Sequence, residues 1–325
     1  MANLYRALVP LLLAAGLVAA DPTWVFAPGA LTPPPGKDTI GNGHGEIRVD
    51  SKGQIYVSVE GEEAGLQVYS PQGIFLRYVP NTPGSLHGFV IRQEDGQDVI
   101  YAAVLGQSKV LKLRTDGTLL LEIPKSAFPA DKGALKLTSV DVAPDGDIYV
   151  VDGYGKDWIF VFAKDGTFKT VFGGRAEPLN LSNAHKVFVD PRFTPARLLV
   201  CDRGNNRILH LALDGSLIGV IADQGKGLRR PSSAAFHGDL VCVAEIGDNQ
   251  QKTAGGIAVF DKEGRQVAKL GVNNALGQSD TPKVEPKDWK DDVVTSPHGI
   301  TFDLAGDILE TEWNTFGRVL RWKRQ

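Results

Sequence analysis

Short apolar runs alternate along the chain with turn-forming residues, and the order repeats. In the clearest copy, an apolar run at 140–143 meets Pro-Asp-Gly and a second at 147–151 meets Asp152-Gly-Tyr-Gly. A third run at 158–163 meets Lys-Asp-Gly, and a fourth covers 168–172. Runs of this length, rich in Val, Ile, Tyr and Phe and bounded by Gly turns, predict strands that alternate between two faces. The same marks recur at 47–78, 89–123, 187–221, 234–270 and 300–322, which makes six units. Four strands per unit, repeated every ~40–50 residues, predict an all-β, six-bladed β-propeller. The last unit is one strand short. Trp24-Val25-Phe26, ahead of the connector Thr32-Pro-Pro-Pro, is a spare apolar strand predicted to pair into it and close the ring.

Composition agrees with one large β domain at 21–325. The 325 residues are 42% hydrophobic and include 37 Gly and 19 Pro, enough for a large core and for many turns. The formal net charge of −3, with signs interspersed, leaves no basic stripe for a phosphate backbone and argues against a nucleic-acid partner. Residues 1–20 read as a signal peptide: Arg6 is basic, 7–18 are almost wholly apolar, and Val18-Ala19-Ala20 offers small residues for cleavage. A secreted, periplasmic or extracellular protein is therefore expected. The apolar stretch is shorter than the ~20 residues a bilayer needs, so no membrane association is expected after cleavage. Cys201 and Cys242 both lie in apolar strands, where buried thiols are common, and a bridge between them stays open at this point.

With the repeats in register, one column at the start of each blade's first strand reads Gly45, His87, Thr138, His185, Ser232 and His298. Histidine takes every second blade. Alternate blades of a six-bladed ring differ by about 120° of rotation, so His87, His185 and His298 are expected to converge on the axis. Three imidazoles suit Zn²⁺ or another divalent first-row metal and leave a position for water or substrate. An internal hydrogen-bonded ring around a water-filled channel is the alternative. His44, one residue out of register, is a possible further ligand. His210 and His237, mid-strand and in a turn, read as structural or solvated.

A second strand returns antiparallel to the face its partner left, so the corner after each second strand shares the histidine face. These corners hold Asp152-Gly-Tyr154-Gly, Asp202-Arg203-Gly-Asn-Asn, 245–248 and Glu312-Trp-Asn. The turns at Asp116-Gly, Asp165-Gly, Asp214-Gly and Glu263-Gly belong to the other face. The segment 272–296 is long enough for a lid, and its Lys283, Lys287, Trp289 and Lys290 are candidates to meet an anionic substrate at the channel mouth.

These motifs resemble the NHL-repeat propellers, with TolB-like architecture, and most closely the lyase domain of the peptidylglycine α-amidating enzymes. The likeness covers most of 21–325. Leu-Val-Cys-Asp-Arg-Gly-Asn-Asn-Arg-Ile is a general NHL signature, whereas three strand-opening histidines combined with Asp-Gly-Tyr and Asp-Arg corners are more specific. The resemblance implies zinc on His87, His185 and His298, Tyr154 as the catalytic base, and Arg203 beside it. It also implies cleavage of a peptidyl-α-hydroxyglycine into a peptide amide and glyoxylate. A Tyr with its ordinary pKa near ~10 is a poor base at neutral pH, and an adjacent cation such as Arg203 would help it.

Three departures qualify the likeness. Ile40-Gly-Asn-Gly-His44 has no Arg where that family carries one, and the family's two disulfides lack their cysteines. Gly299 stands where the family has an Asp supporting calcium, which argues against calcium there. Two other readings follow from the fold. One is a non-catalytic NHL propeller binding a peptide, glycan or protein on the corner face. The other is a calcium-dependent lactonase, for which Glu46, Glu312 and Asn314 are scattered in register.

Overall fold

Six four-stranded antiparallel sheets form the ring in a computed structural model that describes residues 21–61, 65–248, 250, 252–275 and 282–325. The predicted leader at 1–20 lies outside the described residues. The first strands of the blades, which surround the axis, are Asn42–Val49, Leu86–Glu94, Ser139–Val142, Ala184–Asp190, Pro231–His237 and Pro297–Phe302. Each pairs with a second strand that runs back toward its start: Ile55–Glu60, Gln97–Val104, Ile148–Val151, Arg197–Asp202, Leu240–Glu245 and Ile308–Glu312. The corner after the second strand is thereby brought beside the start of the first, as strand direction requires.

The first strands depart from simple alternation. Ala184–Asp190 and Pro297–Phe302 are buried along their whole length. Each blade is sandwiched between two others, so residues on both faces of an inner strand meet a neighbour, and apolar runs become continuous. Alternation survives at the rim, where Leu119, Leu217 and Ile218 of the fourth strands are half exposed.

The spare strand behaves as its sequence predicts. Trp24–Ala27 adds to the outer edge of blade 6, pairing antiparallel with Val319–Arg324 from Trp24↔Arg324 to Ala27↔Arg321. Trp24 and Trp322 bury their rings with Val294, Ile300 and Leu320, and the Trp24 indole N–H donates to the Gly306 carbonyl. Cys201 and Cys242 are buried free thiols.

Candidate metal centre

A local irregularity in the first strands of blades 2, 4 and 6 sets the histidines on the axis. Leu86 and Gly88 pair with Val104 and Ala103, and His87 between them has no partner across the ladder. His185 and His298 stand at the same one-residue interruption in blades 4 and 6, and Ser232 in blade 5. A bulge of this kind turns one side chain away from the pleat, here into the channel. Blade 1 has a larger version. Gly43 pairs with Val59 and Ile47 with Val57, so His44, Gly45 and Glu46 all face Ser58 alone. A Cβ on Gly45 would lie 1.7 Å from the Ser58 hydroxyl, so only glycine fits this bulge. The extra length swings His44 into the cluster although it is out of the column.

The six column positions form an alternating ring of donors and acceptors. The Nδ1 atoms of His87, His185 and His298 lie 2.8, 2.6 and 2.8 Å from the carbonyls of Thr138, Ser232 and Gly45, each the column residue of the next blade. A carbonyl only accepts, so each Nδ1 carries the proton and each Nε2 presents a lone pair. Bracing of this kind fixes the tautomer and direction of metal-binding imidazoles. His87 and His298 each contact the other three rings of the cluster, at centroid distances of 4.8–5.1 Å. His44, Nδ1 bonded to Glu60 at 2.9 Å, is the partly exposed member.

Among the described residues, the set whose ligand atoms all lie within 4.8 Å of one another is His44, His87 and His298. His185 is outside that set, but its ring centroid is 4.8 Å from that of His298. Its Nε2 is taken by the Tyr154 hydroxyl at 3.0 Å, which also stands 3.3 Å from Nε2 of His87 and 3.4 Å from Nε2 of His44. The His298 Nε2 is buried with no hydrogen-bond partner. An orphaned buried lone pair beside other imidazole lone pairs is what a divalent-metal site requires, and the donor set fits zinc. Burial, reinforced by nearby charge from Lys186, Arg203 and His44, holds all three column histidines well below their usual pKa. They are neutral at pH 7, the form that binds metal.

Tyr154 reaches this point from the blade 3 corner, and the Arg203 guanidinium carbon lies 5.4 Å from its ring centroid. Arg203 Nε donates to Asn183 at 2.7 Å, while the Asp202 carboxylate is held by Arg207, so Arg203 is not spent in a salt bridge with its neighbour. Trp313, from the blade 6 corner, packs on His44 at 5.5 Å. Of the loop candidates, Lys287 is exposed and paired with Glu285 at 2.7 Å, and Trp289 is pinned by a bond to the Val284 carbonyl under Arg318. His210 is buried against Asp190 at 2.9 Å, a structural role, and half-buried His237 packs on Phe302.

Sequence reasoning missed the layer directly beneath. The positions after the column are Glu46, Gly88, Ser139, Lys186, Ser233 and Gly299, one anion and one cation among small residues. Both charges are fully buried. Desolvation pulls the Lys186 amine down to about 8. Glu46 faces Arg48 at 3.3 Å, Glu312 bonds Thr295 and Asn314 donates to Val284, so among the described residues these three side chains do not gather into one cluster. A cavity of about 830 Å³ opens at the other end of the axis, floored by Arg48 and Phe188 and remote from the imidazoles.

No known family profile matches the chain, and no curated protein does. Solved structures do. A gluconolactonase from Xanthomonas campestris superposes with a TM-score of 0.61 at 14% identity, covering 95% of this chain and 99% of that one. A streptogramin B lyase gives 0.58 at 15%, with 89% and 96% covered. Virginiamycin B lyase from Staphylococcus aureus gives 0.55 at 16%, with 93% and 88% covered. At such identities the likeness establishes the six-bladed propeller, a fold that carries enzymes among other proteins.

Proposed function

We propose that this chain is an exported metal-dependent lyase acting on a small or peptide-like substrate at the histidine mouth of the propeller, and that peptidyl-α-hydroxyglycine is the substrate class. The observation that supports it best is the braced imidazole cluster with a tyrosine hydroxyl on its open side. The reaction class rests on the Asp-Gly-Tyr and Asp-Arg motifs. His87 and His298 would hold zinc or a similar divalent ion, with His185 and His44 completing its surroundings. Such an ion supplies Lewis acidity toward a substrate hydroxyl.

The remaining work falls to side chains. The Tyr154 oxygen is placed among the imidazoles where a substrate hydroxyl would arrive, within reach for proton transfer. With Tyr154 acting as its phenolate, loss of the substrate hydroxyl proton to that oxygen lets the O–H electron pair become the carbonyl of glyoxylate. The C–N pair leaves with the amide nitrogen, and the proton returns to that nitrogen. Arg203 sets a positive charge beside the phenol ring and opposes entry of cationic groups.

The direct test is glyoxylate release from a benzoyl- or peptidyl-α-hydroxyglycine by zinc-loaded protein. Release is expected to fall by about 10²–10⁴-fold in Tyr154→Phe, with bound metal unchanged. Stoichiometric metal without glyoxylate would keep the site and reject the reaction. An unaltered rate in Tyr154→Phe would reject its role.

A further inference from the structure

One ammonium group sits on the axis under the imidazoles. Lys186 Nζ lies 3.2 Å from the Thr138 carbonyl, 3.3 Å from the His87 carbonyl and 3.5 Å from Glu46 Oε2. All three are hard oxygens, two neutral carbonyls and one carboxylate, contributed by blades 3, 2 and 1 to a side chain from blade 4. Glu46 extends the same junction: Oε2 accepts from the Ser233 hydroxyl at 2.8 Å and Oε1 from the Ile300 amide at 3.1 Å. Every blade is therefore tied to this one pair of charges. The glycines beside it are required for space, since a Cβ on Gly88 would lie 2.8 Å from Lys186 Nζ and one on Gly299 would lie 2.8 Å from Glu46 Oε1.

Carbonyl and carboxylate oxygens converging on a buried positive point are hard donors of the kind calcium takes, here three of the ~6–8 it needs, with water left to supply the rest. We propose that Lys186 stands in for such an ion: its ammonium fills a hard-cation site on the propeller axis, and removing the amine opens that site to calcium. The wild-type chain then takes no calcium at this axial position. Arg48, 3.3 Å from the same carboxylate, keeps the opened site weak. Its dissociation constant is expected on the order of 10⁻⁴ to 10⁻³ M.

The experiment is thermal unfolding of metal-stripped protein with CaCl₂ from zero to 10 mM, against NaCl of equal ionic strength. Wild type is expected to show no calcium-dependent change, and Lys186→Ala a rise in Tm of about 2–4 °C. Lys186→Met, whose stem still fills the space, and Glu46→Gln with Lys186→Ala, which lacks the carboxylate, are expected to show none. If Lys186→Ala does not fold in NaCl, calcium is expected to restore its refolding. Calcium stabilisation of wild type, or a Lys186→Ala chain that calcium neither stabilises nor refolds, overturns the proposal. None of these outcomes depends on whether the imidazoles hold metal, which His298→Ala reports separately.

Discussion

Replacing His298 by alanine is expected to abolish stoichiometric metal binding, lowering affinity by more than about 100-fold, since even supporting groups around a metal are worth ~10–100-fold. His298 is the sharpest choice because its Nε2 is buried and unpartnered, so the histidine has no other visible employment for that atom. Its Nδ1 bond to the Gly45 carbonyl points the lone pair at the axis and keeps the ring in contact with His44, His87 and His185. His87→Ala is expected to match it, whereas His44→Ala and His185→Ala, each removing one flank, should weaken binding by about 10–100-fold. Metal-to-protein ratios after dialysis, measured on protein made without a purification tag, decide the matter. Full occupancy in His298→Ala would remove the metal centre from this structure, and the lyase reading with it.

Acid is expected to unfold the metal-free protein in a window set by the same imidazoles. His87, His185 and His298 have folded pKa values well below 6.5, their value in the unfolded chain, because burial penalises the charged ring. Below pH 6.5 the unfolded chain binds protons that the folded one refuses. Stability is therefore fully present above pH 6.5 and lost as pH falls toward the folded values, by about 1.4 kcal/mol per pH unit for each histidine. Glu310 and Glu312, raised by burial, act with the opposite sign, since the folded state gains their protons first. The clean readout is thus a difference. Denaturant unfolding in chelator at pH 7.5, 6.5 and 5.5 should show His87→Gln losing less stability than wild type, by about 1 kcal/mol between the last two points, where the unfolded histidine is still titrating. Parallel losses in the two proteins would show that His87 titrates normally in the folded state.

Much of the architecture is legible in the sequence because a propeller repeats its grammar. The blade count, the place of Trp24–Ala27 and the convergence of His87, His185 and His298 all follow from register. So does the arrival of Tyr154 and Arg203 on the same face, which depends only on strand direction. His44 was harder to place, because its entry depends on three residues opposing Ser58 in one bulge, and nothing in a strand-length pattern measures a bulge. The Lys186 and Glu46 layer was readable in principle. One cation and one anion in a column otherwise made of Gly and Ser is a size pattern, visible only after the bulge is known to turn that column inward. The loop lysines read as substrate contacts from composition, and the pairing of Lys287 with Glu285 shows how readily a loop neutralises itself.

The strand that completes blade 6 also sets an order on folding. Trp24 pairs with Arg324, so this hairpin-like edge joins residues separated by almost the whole chain, while blades 1 to 5 are built from strands adjacent in sequence. During synthesis those blades have their partners as soon as they emerge, and the first strand waits for the last. Ring closure is then a single late event whose loop entropy grows only slowly with the length enclosed. Until it happens the chain is an open spiral, in which blades 6 and 1 have not met and His298 has no Gly45 carbonyl to lean on. If the imidazoles hold an ion as proposed, their affinity for it would arise at the moment of closure, and ion uptake would serve as a clock for the final step of folding.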